Sequence, residues 1–303
     1  MITILGPTAT GKTSIAAQLA SQLDGEVISA DSRQVYKNMD IGTGKDLKEY
    51  VVNGKAIPYH LIDIVEPGYE YNVYEFQRDF RKAYHNILKR GKTPILCGGT
   101  GLYIESVLLG YDLVKVPENI TLRDSLRNNT HEELVELLKS KTKLHNTSDI
   151  QDRKRLIRAI EINQYYKDHP DKVKNYFEAI PSLVYGIQFD RSVIRNRITK
   201  RLTQRLDNGM LDEVRQLLEQ GLKPEQLTFY GLEYKYLTLH ITGELSYDQM
   251  FEGLNTAIHQ FAKRQMTWFR RMEKRGIRIH WITGSLPLDH KINLIMKTNK
   301  NNL

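Results

Sequence analysis

Apolar residues alternate between two rhythms over the first hundred positions. Strand-like runs at 2–5, 26–30, 59–65 and 94–97 read as the sheet. Between them, 12–23 and 73–90 carry apolar residues three and four apart, the second with Val73, Phe76, Phe80, Tyr84, Ile87 and Leu88 on one stripe. Strand alternating with helix predicts a parallel sheet covered by helices, with ligands at the carboxyl ends of the strands. From 112 to 182 the pattern changes. That segment is rich in Lys, Glu, Asn and Asp, helical in period at 131–140 and 151–168, and punctuated by Pro117, Pro170 and Pro181. A buried strand is expected again at 183–190, then helices at 191–208, 210–220 and 246–275. A last strand at 278–282 precedes a polar tail whose Lys/Asn-rich end is expected to fray.

The first run leads directly into Gly6-Pro7-Thr8-Ala9-Thr10-Gly11-Lys12-Thr13 and a helical pattern. Glycines at this spacing let successive backbone N–H groups curl around a phosphate, and the following helix adds the positive end of its dipole. Lys12 reaches the terminal phosphate, and the Thr13 hydroxyl is a ligand for Mg²⁺. The fold expected is therefore α/β: a P-loop NTPase-like parallel sheet core flanked by helices, with an α-helical insertion domain. Residues 1–111 plus 183–303 form the core and its C-terminal helices; 112–182 form the insertion.

Two more expected strands end in polar residues. Asp31, in Ala30-Asp31-Ser32-Arg33-Gln34, could hold Mg²⁺ or accept a proton from a nucleophile; it could equally cap a short helix. Ser32, Arg33 and Gln34 carry hydrogen-bonding groups able to read a base edge, and Gln suits adenine. Gly98-Gly99-Thr100-Gly101 is a tight turn whose Thr100 either serves a ligand or caps the next helix. All three loops should converge on one crevice.

Composition narrows the partners. No apolar run in the 303 residues approaches the roughly 18–20 needed to span a membrane, and the N-terminus has no basic leader, so the cytoplasm is expected. The single cysteine, Cys97, excludes an internal disulfide and a cysteine-based zinc cluster, and reads as a small buried hydrophobe. The nine histidines show no metal-ligand spacing. A formal charge of +8 is more than a small-molecule phosphate enzyme needs. The cations cluster on helical faces: Lys154, Arg155 and Arg158; Arg197, Arg201 and Arg205; and Lys263, Arg264, Arg270 and Arg271 interleaved with Trp268 and Phe269. Any one such face is ordinary solvated surface, but three together point to a nucleic-acid backbone.

These motifs, in this order, resemble the tRNA dimethylallyltransferase family of bacteria. The resemblance rests on Gly6–Thr13, Asp31–Tyr36, Met39–Thr43, Gly98–Tyr103, Asp152–Arg158 and Ala262–Arg270, and runs from about residue 2 to 282. It implies transfer of a dimethylallyl group from dimethylallyl diphosphate to the adenosine immediately 3′ of the anticodon in tRNAs reading codons that begin with U. The phosphate loop would then hold the donor's diphosphate. Asp31 would engage the adenine amino group and Thr100 would help place the reacting groups, while Lys12, Thr13, Mg²⁺ and Arg201 stabilise departing pyrophosphate. Segments matching the family's tRNA contacts are Asp31, Ser32, Arg33 and Gln34 with Thr100; Lys154, Arg155, Leu156, Ile157 and Arg158; and Lys263, Arg264, Gln265, Trp268 and Arg270. The insertion corresponds to the part that clasps the anticodon arm, and a monomer is expected. Two departures stand out: Ile258-His259 where the family shows Thr-Arg, and Tyr230-Gly-Leu-Glu-Tyr234 where it shows an Ile-Gly-Tyr-Lys-Glu-like stretch. Both are expected to touch the tRNA side. Three rivals remain on the residues alone: a prenyltransferase acting on free adenine nucleotides, a small-molecule kinase, and an RNA-binding module with a structural nucleotide.

Overall fold

Six strands hydrogen-bond in parallel: β1 (Ile2–Leu5), β2 (Gly25–Ala30), β5 (Tyr59–His60), β6 (Thr93–Gly98), β7 (Leu183–Gln188) and β8 (Ile279–Thr283). Their order across the sheet is β5-β2-β6-β1-β7-β8, and a small antiparallel hairpin, β3 (Val51–Val52) and β4 (Lys55–Ala56), lies outside it. The computed structural model describes residues 1–141, 152–171 and 177–300. They form two units, Met1–Leu109 with Ala179–Leu303, and Gly110–Glu178.

Burial on both faces explains why the strands are continuous apolar runs. Ile2, Ile4, Val27, Ile95, Cys97, Tyr185 and Ile187 share one cluster with Ile15 and Leu19 of α1 (Lys12–Gln22) and with Ile292 and Ile295 of α12 (Leu288–Lys300). Alternation sends Ile28 and Leu96 to the other face, where α2 (Val73–Lys89) and α3 (Gly101–Leu108) pack, Phe76 stacking on Tyr103 at 4.1 Å. An Asn72–Glu75 capping box starts α2. The helices α7 (Arg191–Asp207), α8 (Met210–Glu219), α9 (Pro224–Leu227), α10 (Leu232–Ile241) and α11 (Tyr247–Lys274) follow β7 in the same unit.

Two expectations needed correction, and a third reaches beyond the described residues. The strand expected over 59–65 stops at His60, because Leu61 and Asp63 take left-handed φ of 62° and 56°, which no ladder accommodates. The polar tail carries a helix from Leu288, anchored by Ile292 and Ile295 in the core; the Lys/Asn-rich end, expected to fray, runs into residues 301–303, which lie outside the described residues. The boundaries expected at 112 and 182 fall at 110 and 178. Residues 180–183 are tied to the core by Ile180 N–H to the Val107 carbonyl (3.2 Å), the Met1 ammonium to the Pro181 carbonyl (3.2 Å) and Leu183 N–H to the Met1 carbonyl (3.0 Å).

The second unit is built on α4 (Ile120–Ser125), α5 (His131–Lys141) and α6 (Arg153–Asp168), closed around Leu126, Leu134, Leu138, Leu156 and Ile160. Asp152 caps α6 through the Arg155 N–H at 3.0 Å; residue 151, expected in this helix, lies outside the described residues. Arg153 reaches the carbonyls of Leu126, Arg127 and Asn129, satisfying a chain reversal from within.

Candidate active site at the strand ends

Register brings the three loops to one level. Ala30 pairs with Gly98, and Gly98 with Leu5, so Asp31, Gly99 and Gly6 leave the sheet side by side. At Gly6 any side chain is excluded, since a Cβ would stand 2.7 Å from the Ile187 carbonyl oxygen. Two residues of the phosphate loop, Ala9 (φ 61°) and Gly11 (φ 78°), are left-handed. For Ala9 that conformation costs about 1 kcal/mol, and Arg197 restrains it by donating from Nε to the Ala9 carbonyl at 2.8 Å. Thr10 Oγ1 and Lys12 Nζ both donate to the Pro7 carbonyl, at 2.8 and 2.7 Å. The α1 N-cap is Gly11, which offers no side chain to the first-turn N–H groups, and that turn holds no acid. The helix end is left to an anion. Burial pulls the Lys12 ammonium down from 10.5 to about 8, with the Arg201 charge adding to the effect.

The other two loops are joined to each other and to the phosphate loop. Asp31 accepts the Arg33 N–H at Oδ1 (2.9 Å), in a turn rather than at a helix start, and pairs with no cation among the described residues. Thr100 is the N-cap residue of α3, yet its side chain makes no capping hydrogen bond. Its hydroxyl accepts the Ser32 N–H at 3.0 Å and faces Ser32 Oγ at 3.4 Å, linking the β6 end to the Asp31 turn. Gln265 of α11 then bridges the set: Oε1 accepts the Thr8 N–H and Nε2 donates to the Gly99 carbonyl, both at 2.9 Å. A shallow cleft adjoins the loop, lined by Thr8, Ala9, Ile198, Arg201, Leu202, Arg205, Glu233 and Ile258. This combination, an anion cradle beside a half-exposed carboxylate and hydroxyl, suits a reaction that expels a phosphate group near a polar nucleophile.

The family model described as IPP transferase matches residues 34–272, and one described as Isopentenyl transferase matches residues 1–58. The chain belongs to the IPP transferase family. Among IPP transferase relatives, tRNA dimethylallyltransferase 1 of Parabacteroides distasonis is 60% identical over 100% of this chain and 98% of its own length. The tRNA dimethylallyltransferase 2 of Bacteroides fragilis is 58% identical over 97% of this chain and 96% of its own. A crystal structure of tRNA delta(2)-isopentenylpyrophosphate transferase from Staphylococcus epidermidis superposes with a TM-score of 0.70 at 34% identity, covering 100% and 99% of the two chains. A eukaryotic dimethylallyltransferase described as acting on tRNA superposes at 0.75 with 25% identity, covering 94% of this chain and 73% of that one.

Several residues expected to face RNA in this IPP transferase are engaged internally. Leu156 is fully buried in the helical core and unavailable to a ligand; Ile157 packs beside it. Arg158 is spent on Glu161 and the Val116 and Pro117 carbonyls, leaving Lys154 and Arg155 as the exposed cations of the Asp152–Arg158 motif. The Gln34 amide, expected to read a base, accepts from Ser29 Oγ (2.9 Å) and donates to the Gly44 carbonyl (3.1 Å). Gln265 is a buried bridge, and the Trp268 indole donates to the buried Glu105 at 2.7 Å with Arg271 over its ring. Lys263, Arg264 and Arg270 are exposed, and Arg33 is half-buried over the Phe229 ring at 5.2 Å.

The two sequence departures have definite neighbours within the fold. Ile258 and Glu233 line the cleft beside the phosphate loop, whereas Tyr230 packs on Tyr36 and Tyr234 donates to Glu213 at 2.6 Å. Sequence reasoning missed Glu213, whose carboxylate collects the N–H groups of Asp40, Ile41 and Gly42 and so explains the Met39–Thr43 motif. It also missed Lys45, which is fully buried on Asp40, Asp63 and the Tyr36 carbonyl. The five residues Met39–Thr43 gave no sign of either partner.

Proposed function

We propose that this chain transfers a dimethylallyl group from dimethylallyl diphosphate to the exocyclic amine of the adenosine immediately 3′ of the anticodon in tRNAs reading UNN codons. The amine nitrogen attacks the allylic carbon, the carbon–oxygen bond to diphosphate breaks, and pyrophosphate leaves. Asp31 takes the amine proton, Thr100 fixes the turn that aims Asp31, and Lys12 with Arg201 meets the charge growing on the leaving group. The observation that carries this reading is the shared level of Asp31, the Thr100 turn and the phosphate loop, pinned together by Thr100–Ser32 and Gln265.

Mg²⁺ fits as a shared ligand. The Thr13 hydroxyl in the first turn of α1 offers one hard oxygen, and no cluster of three or more acidic, His or Cys ligands exists among the described residues. Thr13 would hold the ion together with diphosphate oxygens and water, and the ion would supply charge neutralisation. The adenine must leave its stack to reach Asp31, as in other base-modifying enzymes. No described helix is long and apolar enough to cross a membrane, and the reading takes the protein to act as a monomer in the cytoplasm.

Labelled dimethylallyl diphosphate offered with tRNA and AMP together tests the reading. Label should appear in tRNA alone, mapped by mass spectrometry to the adenosine after the anticodon. Label in AMP, or ATP consumption without prenylated RNA, would overturn it. Asp31→Asn should lose transfer by about 100-fold or more while keeping pyrophosphate affinity.

A further inference from the structure

The cleft beside the phosphate loop holds a guanidinium without sufficient partners. Arg205 Nη2 is buried and makes no hydrogen bond, and its nearest carboxylate oxygen, Asp46 Oδ2, is 3.8 Å away. Its position is made by Gly44, where a Cβ would fall 1.7 Å from Nη2 and 2.9 Å from Arg201 Nη2. Gly44 is left-handed (φ 66°) in a loop held by Glu213, Gln34 and Lys45, so this contact is built in. Arg201 pairs with the same Asp46 oxygen and lies 3.5 Å from Thr8 Oγ1 at the loop. Two guanidiniums thus share one carboxylate that is itself 40% exposed. Burial and the Arg201 charge pull Arg205 down to about 10, and burial raises the Glu233 carboxyl that faces the same cleft. Arg205 Nη2 is thus a buried cationic donor with no acceptor.

Resting on the prenyl-donor reading, we propose that Arg205 is a second donor-positioning guanidinium beside Arg201, and that Asp46 is the stand-in anion holding both until the diphosphate arrives. A diphosphate offers several acceptor oxygens in the bidentate geometry guanidinium groups prefer. It would complete Arg205 and release Asp46 to solvent.

Calorimetric titration with inorganic pyrophosphate and Mg²⁺ tests this, with donor KM, kcat and affinity for an anticodon stem-loop RNA measured in parallel. Arg205→Gln should weaken pyrophosphate by about tenfold, the loss expected for a charged hydrogen-bond donor. Donor KM should rise more than kcat falls, and RNA affinity should hold. Arg205→Lys should recover part of the loss. Asp46→Asn should tighten pyrophosphate by about threefold, the scale of an exposed ion pair. Unchanged pyrophosphate affinity in a folded Arg205→Gln would overturn the proposal. If that variant does not fold, wild-type affinity in both Arg205→Lys and Asp46→Asn would overturn it equally. A wild-type protein that neither binds pyrophosphate nor prenylates RNA defeats the donor reading itself, whereas active wild type with an indifferent Arg205 defeats this inference alone.

Discussion

Lys12 couples the site to pH. Its ammonium is lowered by burial to about 8, with Arg201 contributing, while the same group in an unfolded chain titrates near 10.5. Between those values the unfolded state binds the extra proton, so the Lys12 contribution to stability rises with pH across that window. Binding goes the other way. The empty site loses its Lys12 charge as pH rises through about 8, so pyrophosphate affinity should fall there more steeply than titration of pyrophosphate alone explains. Lys12→Arg, charged throughout, should flatten that excess. Calorimetry from about pH 6.5 to about 9.5 checks both, and a wild-type curve matching the arginine variant would remove Lys12 from the role. The chemistry at Lys12 and Gly11 could be read from residue types because a phosphate loop is local in sequence. Gln34 could not, since its partners, Ser29 and Gly44, are set by how the turn folds back.

Among the elements, α11 does most to hold the site together. Its Gln265 satisfies the Thr8 N–H and the Gly99 carbonyl, and its Trp268, Arg271 and neighbouring Arg275 converge on Glu105 of α3. Glu105 is fully buried, while Arg271 and Arg275 are 30% and 34% exposed. Glu105→Leu should therefore cost about 2–3 kcal/mol, below the roughly 3–5 of a fully buried pair because solvent screens the guanidiniums. Denaturant unfolding measures this. Gln265→Ala leaves a buried donor and acceptor unmade, which costs about 1–3 kcal/mol, and should also depress transfer by loosening the loop. The strands and long helices were legible because each buries a continuous face with a period of its own. The strand expected over 59–65 misled because apolar content does not reveal left-handed φ at Leu61 and Asp63. In α12 the signal was present, Ile292 and Ile295 three apart, but surrounding Lys and Asn masked it. The α11 cations suggested RNA from sequence, yet half of the motif faces inward because a helix on a core must alternate its faces.

For the molecule as a whole, the excess of +8 acts through the cations that remain exposed. In the first unit these include Lys263, Arg264 and Arg270; in the second, Lys154 and Arg155. Arg158 has a different role. With Arg123 and the Asn119 N–H it neutralises Glu161, which these partners hold below the usual carboxylate range despite its burial. Two substitutions that look equivalent in sequence should thus separate. Replacing Lys263 and Arg264 with Gln should weaken tRNA binding and shallow the slope of log affinity against log salt by roughly 1–2 units, about one for each phosphate that goes unneutralised, without shifting the melting temperature. Arg158→Gln should leave the slope in place and instead lower the stability of the second unit, by about 1–3 kcal/mol for an acceptor deprived of a charged donor. Filter binding from about 50 to about 300 mM salt, beside thermal melts, distinguishes the outcomes. A slope unaffected by the α11 pair would move the RNA face off that helix, because counterion release reports every neutralised phosphate wherever on the protein surface it lies.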